Sequence, residues 1–108
     1  GEVARKAMQL ITSEPSLETS QISRIRQPVL VAVGDDDIVT LPHAVSLFEA
    51  LPNGQLAVVP GTSHGLPMER PATLAGLILP FLEEDGPPHT LMPVRRARIP
   101  GRNDKRAR

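Results

Sequence analysis

The sequence predicts an α/β fold, a parallel sheet covered by helices. Three observations carry that expectation. Pro28-Val29-Leu30-Val31-Ala32-Val33 is an unbroken apolar run rich in β-branched residues, closed by Gly34. A run that is apolar on both alternating faces belongs to a strand buried on both sides, as in parallel sheets. A second run, Gln55-Leu56-Ala57-Val58-Val59, follows a stretch with helical spacing at Ala44, Leu47, Phe48 and Leu51. Strand, helix, parallel strand is a βαβ unit, whose two strands point their C-terminal ends the same way.

Taken in order, residues 2–11 read as an amphipathic helix with Val3, Ala7, Leu10 and Ile11 on one stripe. Ser13-Glu14-Pro15-Ser16 ends it, because the residue before proline avoids the helical region. A short helix is expected over 20–26, with Ile22 and Ile25 inward, and Pro28 enters the first strand. Thr40 suits an N-cap, and Pro42 falls in the first turn, where its missing N–H has no partner to lose. That helix runs to about Leu51, and Pro52-Asn53-Gly54 turns the chain into the second strand. Pro71 starts a last helix on Leu74, Leu77, Ile78, Phe81 and Leu82, with a kink or early end expected at Pro80. The predicted organisation is a helical lead-in over 1–27, a βαβα segment over 28–83, and a basic, disordered tail over 84–108. No internal repeat is visible.

Composition limits the function classes. At 108 residues one core is the ceiling. Two Phe with no Trp or Tyr leave little for stacking on bases, so a nucleic-acid partner is not expected. The absence of Cys removes disulfides, a thiolate nucleophile and Cys-based zinc sites, and suits a cytoplasmic setting. No apolar run reaches membrane-spanning length, so no membrane partner is expected either. The first residue is Gly rather than Met, which reads as a fragment. Formal charge is zero, yet residues 1–94 carry a net of minus six and residues 95–108 a net of plus six.

Two candidates for chemistry stand at the strand ends. Gly34-Asp35-Asp36-Asp37 puts three carboxylates after the first strand, and Pro60-Gly61-Thr62-Ser63-His64-Gly65 puts a histidine after the second. Open α/β sheets bind and react with ligands at that rim. A histidine on a turn there can act as a general base, because imidazole exchanges protons near neutral pH. An ordinary loop histidine bonded to a carbonyl is the bland alternative. Asp35, Asp36 and Asp37 are rivals for the acid that meets the histidine, with helix capping the bland role for an Asp just ahead of a helix.

The residues 28–39, followed by Leu56-Ala57-Val58-Val59-Pro60-Gly61-Thr62-Ser63-His64, resemble the C-terminal βαβα part of the α/β-hydrolases, over roughly 8–82 and more weakly 87–98. In that family an acid follows the penultimate strand and a histidine the last, in the chain order Ser, Asp or Glu, His. The resemblance implies Asp37 and His64 as catalytic residues of a Ser-Asp-His-type triad that hydrolyses an ester, lactone or related bond. It implies no cofactor, a small-molecule substrate in the complete protein, and a missing N-terminal portion of the domain as partner and source of the nucleophile.

Gly61-Thr62-Ser63-His64-Gly65 also matches the nucleophile-elbow pattern G-x-S-x-G. An elbow needs a helix at once, and Pro67 and Pro71 are expected to postpone one, so Ser63 reads as a turn serine. Asp35-Asp36-Asp37-Ile38-Val39 resembles the opening motif of haloacid-dehalogenase-like phosphatases. Those enzymes need a lysine on a later strand, and Lys6 and Lys105 are misplaced for it, as they are for a phosphorelay receiver. His43 and His89 lack ligand-like neighbours, so no metal site is assigned. The competing class is a non-catalytic half-domain that binds a partner through an open edge of its first strand or through its basic tail.

Overall fold

The computed structural model describes residues 7–10 and 19–98. Three parallel strands, β1 (Ala7–Leu10), β2 (Val29–Gly34) and β3 (Gly54–Val59), form one sheet in the order β1-β2-β3. The helices are α1 (Thr19–Ile22), α2 (Leu41–Ala50), α3 (Leu66–Glu69) and α4 (Pro71–Glu83). A single 3-10 turn, Arg96–Arg98, closes the described chain. Among the described residues no helix is long and apolar enough to cross a membrane.

All six residues of β2 are buried, as its uninterrupted apolar character requires. Strand alternation splits them between two cores. Val29, Val31 and Val33 pack with Ile22, Val39, Ala44 and Leu51 beneath α1 and α2. Ala32 packs on the other face with Val59, Leu66 and Leu74 beneath α3 and α4. The sheet is thus the middle of three layers.

The lead-in departs from expectation. Ala7–Leu10 is a strand, not part of a helix, and pairs in register with Val29 to Ala32. Local helical spacing loses here to the row of backbone donors and acceptors that β2 offers on its flank. The rest of the expected helix over 2–11, and the Pro15 stop, lie outside the described residues. β2 is therefore the central strand, and the open edge expected on it is filled. Among the described residues the edges belong to β1 and β3.

Helix α2 begins as its sequence dictates. The Thr40 hydroxyl accepts from the His43 N–H at 3.3 Å, with Pro42 in the first turn. Helix α4 continues through Pro80 to Glu83 without the early end anticipated there. The proline lies four residues after Gly76, where a side chain would meet open space, and only one helical N–H is lost.

Residues 84–98 are not the loose tail expected of them. Pro88 is buried, and the Arg95 guanidinium lies 4.1 Å from the centroid of the Phe48 ring. Arg95 also donates to the Phe48 and Glu49 carbonyls at the C-terminal end of α2, at 3.4 and 3.5 Å. Arg96 donates to the Gly54 carbonyl at 3.1 Å. The last carbonyls of a helix lack intrahelical donors and carry partial negative charge, so a guanidinium fits them. Residues 99–108, also read as tail, lie outside the described residues.

Candidate active site

The site lies where the loops after β2 and β3 meet. Asp37 Oδ1 and His64 Nδ1 are 2.8 Å apart, across 27 residues of sequence. The Asp37 side chain is 4% exposed and the imidazole 50%, so a buried carboxylate holds a histidine whose outer edge faces solvent. An ionised carboxylate only accepts, so in neutral His64 the Nδ1–H donates and Nε2 is left as a bare acceptor.

Asp37 is fixed on its other sides by the Val39 N–H at 3.1 Å and the Gly34 N–H at 3.4 Å. It does not cap α2, a task left to Thr40. Burial by itself would raise the Asp37 carboxyl. The bonds from Val39, His64 and Gly34, with the His64 charge, outweigh it and hold the group below the usual aspartate range. Asp37 is thus ionised at neutral pH.

The two loops are locked together beside this pair. The Asp36 N–H donates to the Thr62 carbonyl at 2.9 Å, and the Thr62 N–H donates to Asp35 Oδ1 at 3.3 Å. Asp35, the rival acid, is therefore turned toward the Thr62 backbone, while Asp36 lies exposed on the turn. Thr62 is 1% exposed, its hydroxyl spent on the Pro60 carbonyl at 2.9 Å. The close approach needs Gly34: a Cβ there would fall on the Thr62 carbonyl. Gly61, at φ +60°, makes the turn that brings the chain over it.

Ser63 is beside the pair but engaged elsewhere. Its N–H donates to Glu69 Oε1 at 2.8 Å and its hydroxyl to Glu69 Oε2 at 2.7 Å. The expected delay of the helix by prolines is corrected. Helix α3 starts directly after Gly65, with Pro67 and then Pro71 in the first turns of α3 and α4, where no partner is lost. Sequence reading passed over Thr62 and Glu69. A threonine between two glycine turns gives no signal of burial, whereas an acid at the end of the short segment after Gly65 does hint at a partner in the preceding turn. His43 and His89 stand apart, His43 half-buried on α2 and His89 with its Nδ1 3.5 Å from the Pro87 carbonyl.

Several solved structures share this arrangement of strands and helices. One, from Thermoplasma acidophilum and predicted to be a CIB-like hydrolase, is 21% identical at a TM-score of 0.61, over 64% of this chain and 34% of its own. An α/β-hydrolase enzyme from a Medee basin deep-sea metagenome library is 24% identical at 0.59, over 65% of this chain and 26% of its own. This is part of an α/β-hydrolase fold. A Mycobacterium tuberculosis protein assigned as the non-heme bromoperoxidase BpoC is 33% identical at 0.56, over 62% of this chain and 26% of its own. The α/β-hydrolase segment seen here thus spans between a quarter and about a third of the length of these structures. No protein-family model and no curated protein matches the chain.

Proposed function

We propose that this chain contributes the acid and the histidine of a Ser-Asp-His-type triad to an α/β-hydrolase acting on an ester, lactone or related bond. The 2.8 Å contact between Asp37 and His64, at the shared C-terminal rim of parallel strands, carries the reading. His64 Nε2 takes the proton of a nucleophilic hydroxyl supplied by the remainder of the domain, then returns it to the leaving group. Asp37 holds the imidazole in the Nδ1–H form and stabilises the imidazolium without taking the proton. The reading calls for no cofactor, a small-molecule substrate and a cytoplasmic setting. Ser63 stays outside the reaction because its hydroxyl is already committed to Glu69.

The test is a fluorophosphonate probe applied to two proteins. The chain alone is expected to remain unlabelled. The same chain preceded by the upstream part of its reading frame is expected to be labelled on an upstream serine of a strand-linked G-x-S-x-G. His64→Ala should abolish that labelling. Labelling of Ser63 in the chain alone, or upstream labelling indifferent to His64→Ala, overturns the assignment.

A further inference from the structure

Building on His64 as the proton carrier, we propose that Glu69 is a positioning residue that sets the direction of the His64 imidazole. The Glu69 carboxylate holds the residue before the histidine, and that residue's hydroxyl holds the residue after it. Before it, the Ser63 N–H and hydroxyl donate to Glu69 Oε1 and Oε2 at 2.8 and 2.7 Å. After it, the Gly65 N–H donates to the same Ser63 hydroxyl at 3.1 Å, so the clasp spans the peptides flanking His64.

The clasp has a fixed base. Helix α3 is pinned by Leu66, 2% exposed in the second core, and the Met68 and Glu69 N–H groups both donate to the Gly65 carbonyl at 2.9 Å. The imidazole is half exposed, so packing alone leaves its ring angle poorly defined. Asp37 fixes one ring nitrogen, and Glu69 fixes the backbone from which the ring projects. With both in place, Nε2 is aimed at a single point on the rim, as proton transfer over hydrogen-bond distance requires. The bonds from Ser63, backbone first and hydroxyl second, also hold the Glu69 carboxyl below the usual glutamate range, which keeps the clasp charged at neutral pH.

The experiment is nitrogen-15 NMR of the His64 ring in the intact 108-residue chain at neutral pH. The parent protein should show the Nδ1–H form, with a ring proton protected from exchange. Glu69→Ala should speed exchange of that proton about five- to tenfold, the factor a lost hydrogen bond commands, and mix the two tautomers. The amide signals of Val31 and Val33 should stay in place. Glu69→Gln, which can still accept from the Ser63 N–H, should restore most of the protection, and Ser63→Ala should give an intermediate loss. A Glu69→Ala spectrum with unchanged ring signals overturns the clasp, as does a Glu69→Gln variant no better than Glu69→Ala. Asp37→Asn separates the two claims. If it too leaves the ring unchanged, the Asp37–His64 pair itself is wrong. If only Asp37→Asn alters the ring, the pair stands and the clasp falls.

Discussion

At the Asp37 carboxylate, burial and hydrogen bonding pull in opposite directions, and the hydrogen bonds prevail. The consequence for stability has a definite sign. The folded group titrates below its unfolded value of about 3.9, so between the two values the unfolded chain binds more protons. The contribution of Asp37 is therefore complete above the unfolded value and is lost as pH falls through the folded one. Urea midpoints of the parent chain and Asp37→Asn should accordingly converge as pH is lowered below about 4. A gap that persists or widens there would count against a carboxylate stabilised in its charged form. On the triad proposed above, Asp37→Asn in the complete domain should lower kcat by roughly 10⁴-fold with little change in KM, because the amide stabilises the wrong tautomer. Steady-state kinetics on an ester substrate would read it.

Loops and helices set how these residues meet. The loop after β2 and the loop after β3 touch through Gly34, where the Thr62 backbone occupies the space of an absent side chain. Gly34→Ala should push the second loop away, destabilise the chain by roughly 2–4 kcal/mol and abolish the protected His64 ring proton. Urea denaturation and the ring spectrum measure the two effects separately. A stable variant with an intact Asp37–His64 contact would show that the loops do not depend on that approach. Helix α2 is a milder case. Thr40→Ala removes its N-cap bond and should cost about 1 kcal/mol, seen in urea midpoints, with the His64 ring unaffected.

Across the molecule, the segment 84–98 closes one side of the βαβ unit. Arg95 lies over Phe48 and caps the end of α2, and with Ser23, Arg26, Glu49 and Pro52 it lines a shallow cleft of about 270 Å³. Arg95→Ala should destabilise by about 1 kcal/mol. A double-mutant cycle with Phe48→Leu should return a coupling of about 0.5 kcal/mol. Zero coupling would mean that the stacked geometry contributes nothing. The basic cluster at the end of the sequence is thus divided: Arg95 and Arg96 turn inward to carbonyls, which limits any reading of the whole cluster as a solvated, partner-seeking tail.

What sequence alone determined here is what short-range chemistry dictates. The doubly buried strand Val29–Gly34, the Thr40 cap, the Pro71 start and the acid and histidine at matching strand ends each follow from residue type and spacing over a few positions. Tertiary structure decided the rest, because the deciding partners are distant in the chain. Ala7–Leu10 becomes a strand only because β2 offers it an unpaired flank. Arg95 and Arg96 leave solvent for carbonyls more than forty residues away. Asp37 outranks Asp35 because the Thr62 backbone, folded over Gly34, takes one carboxylate and leaves the other to His64.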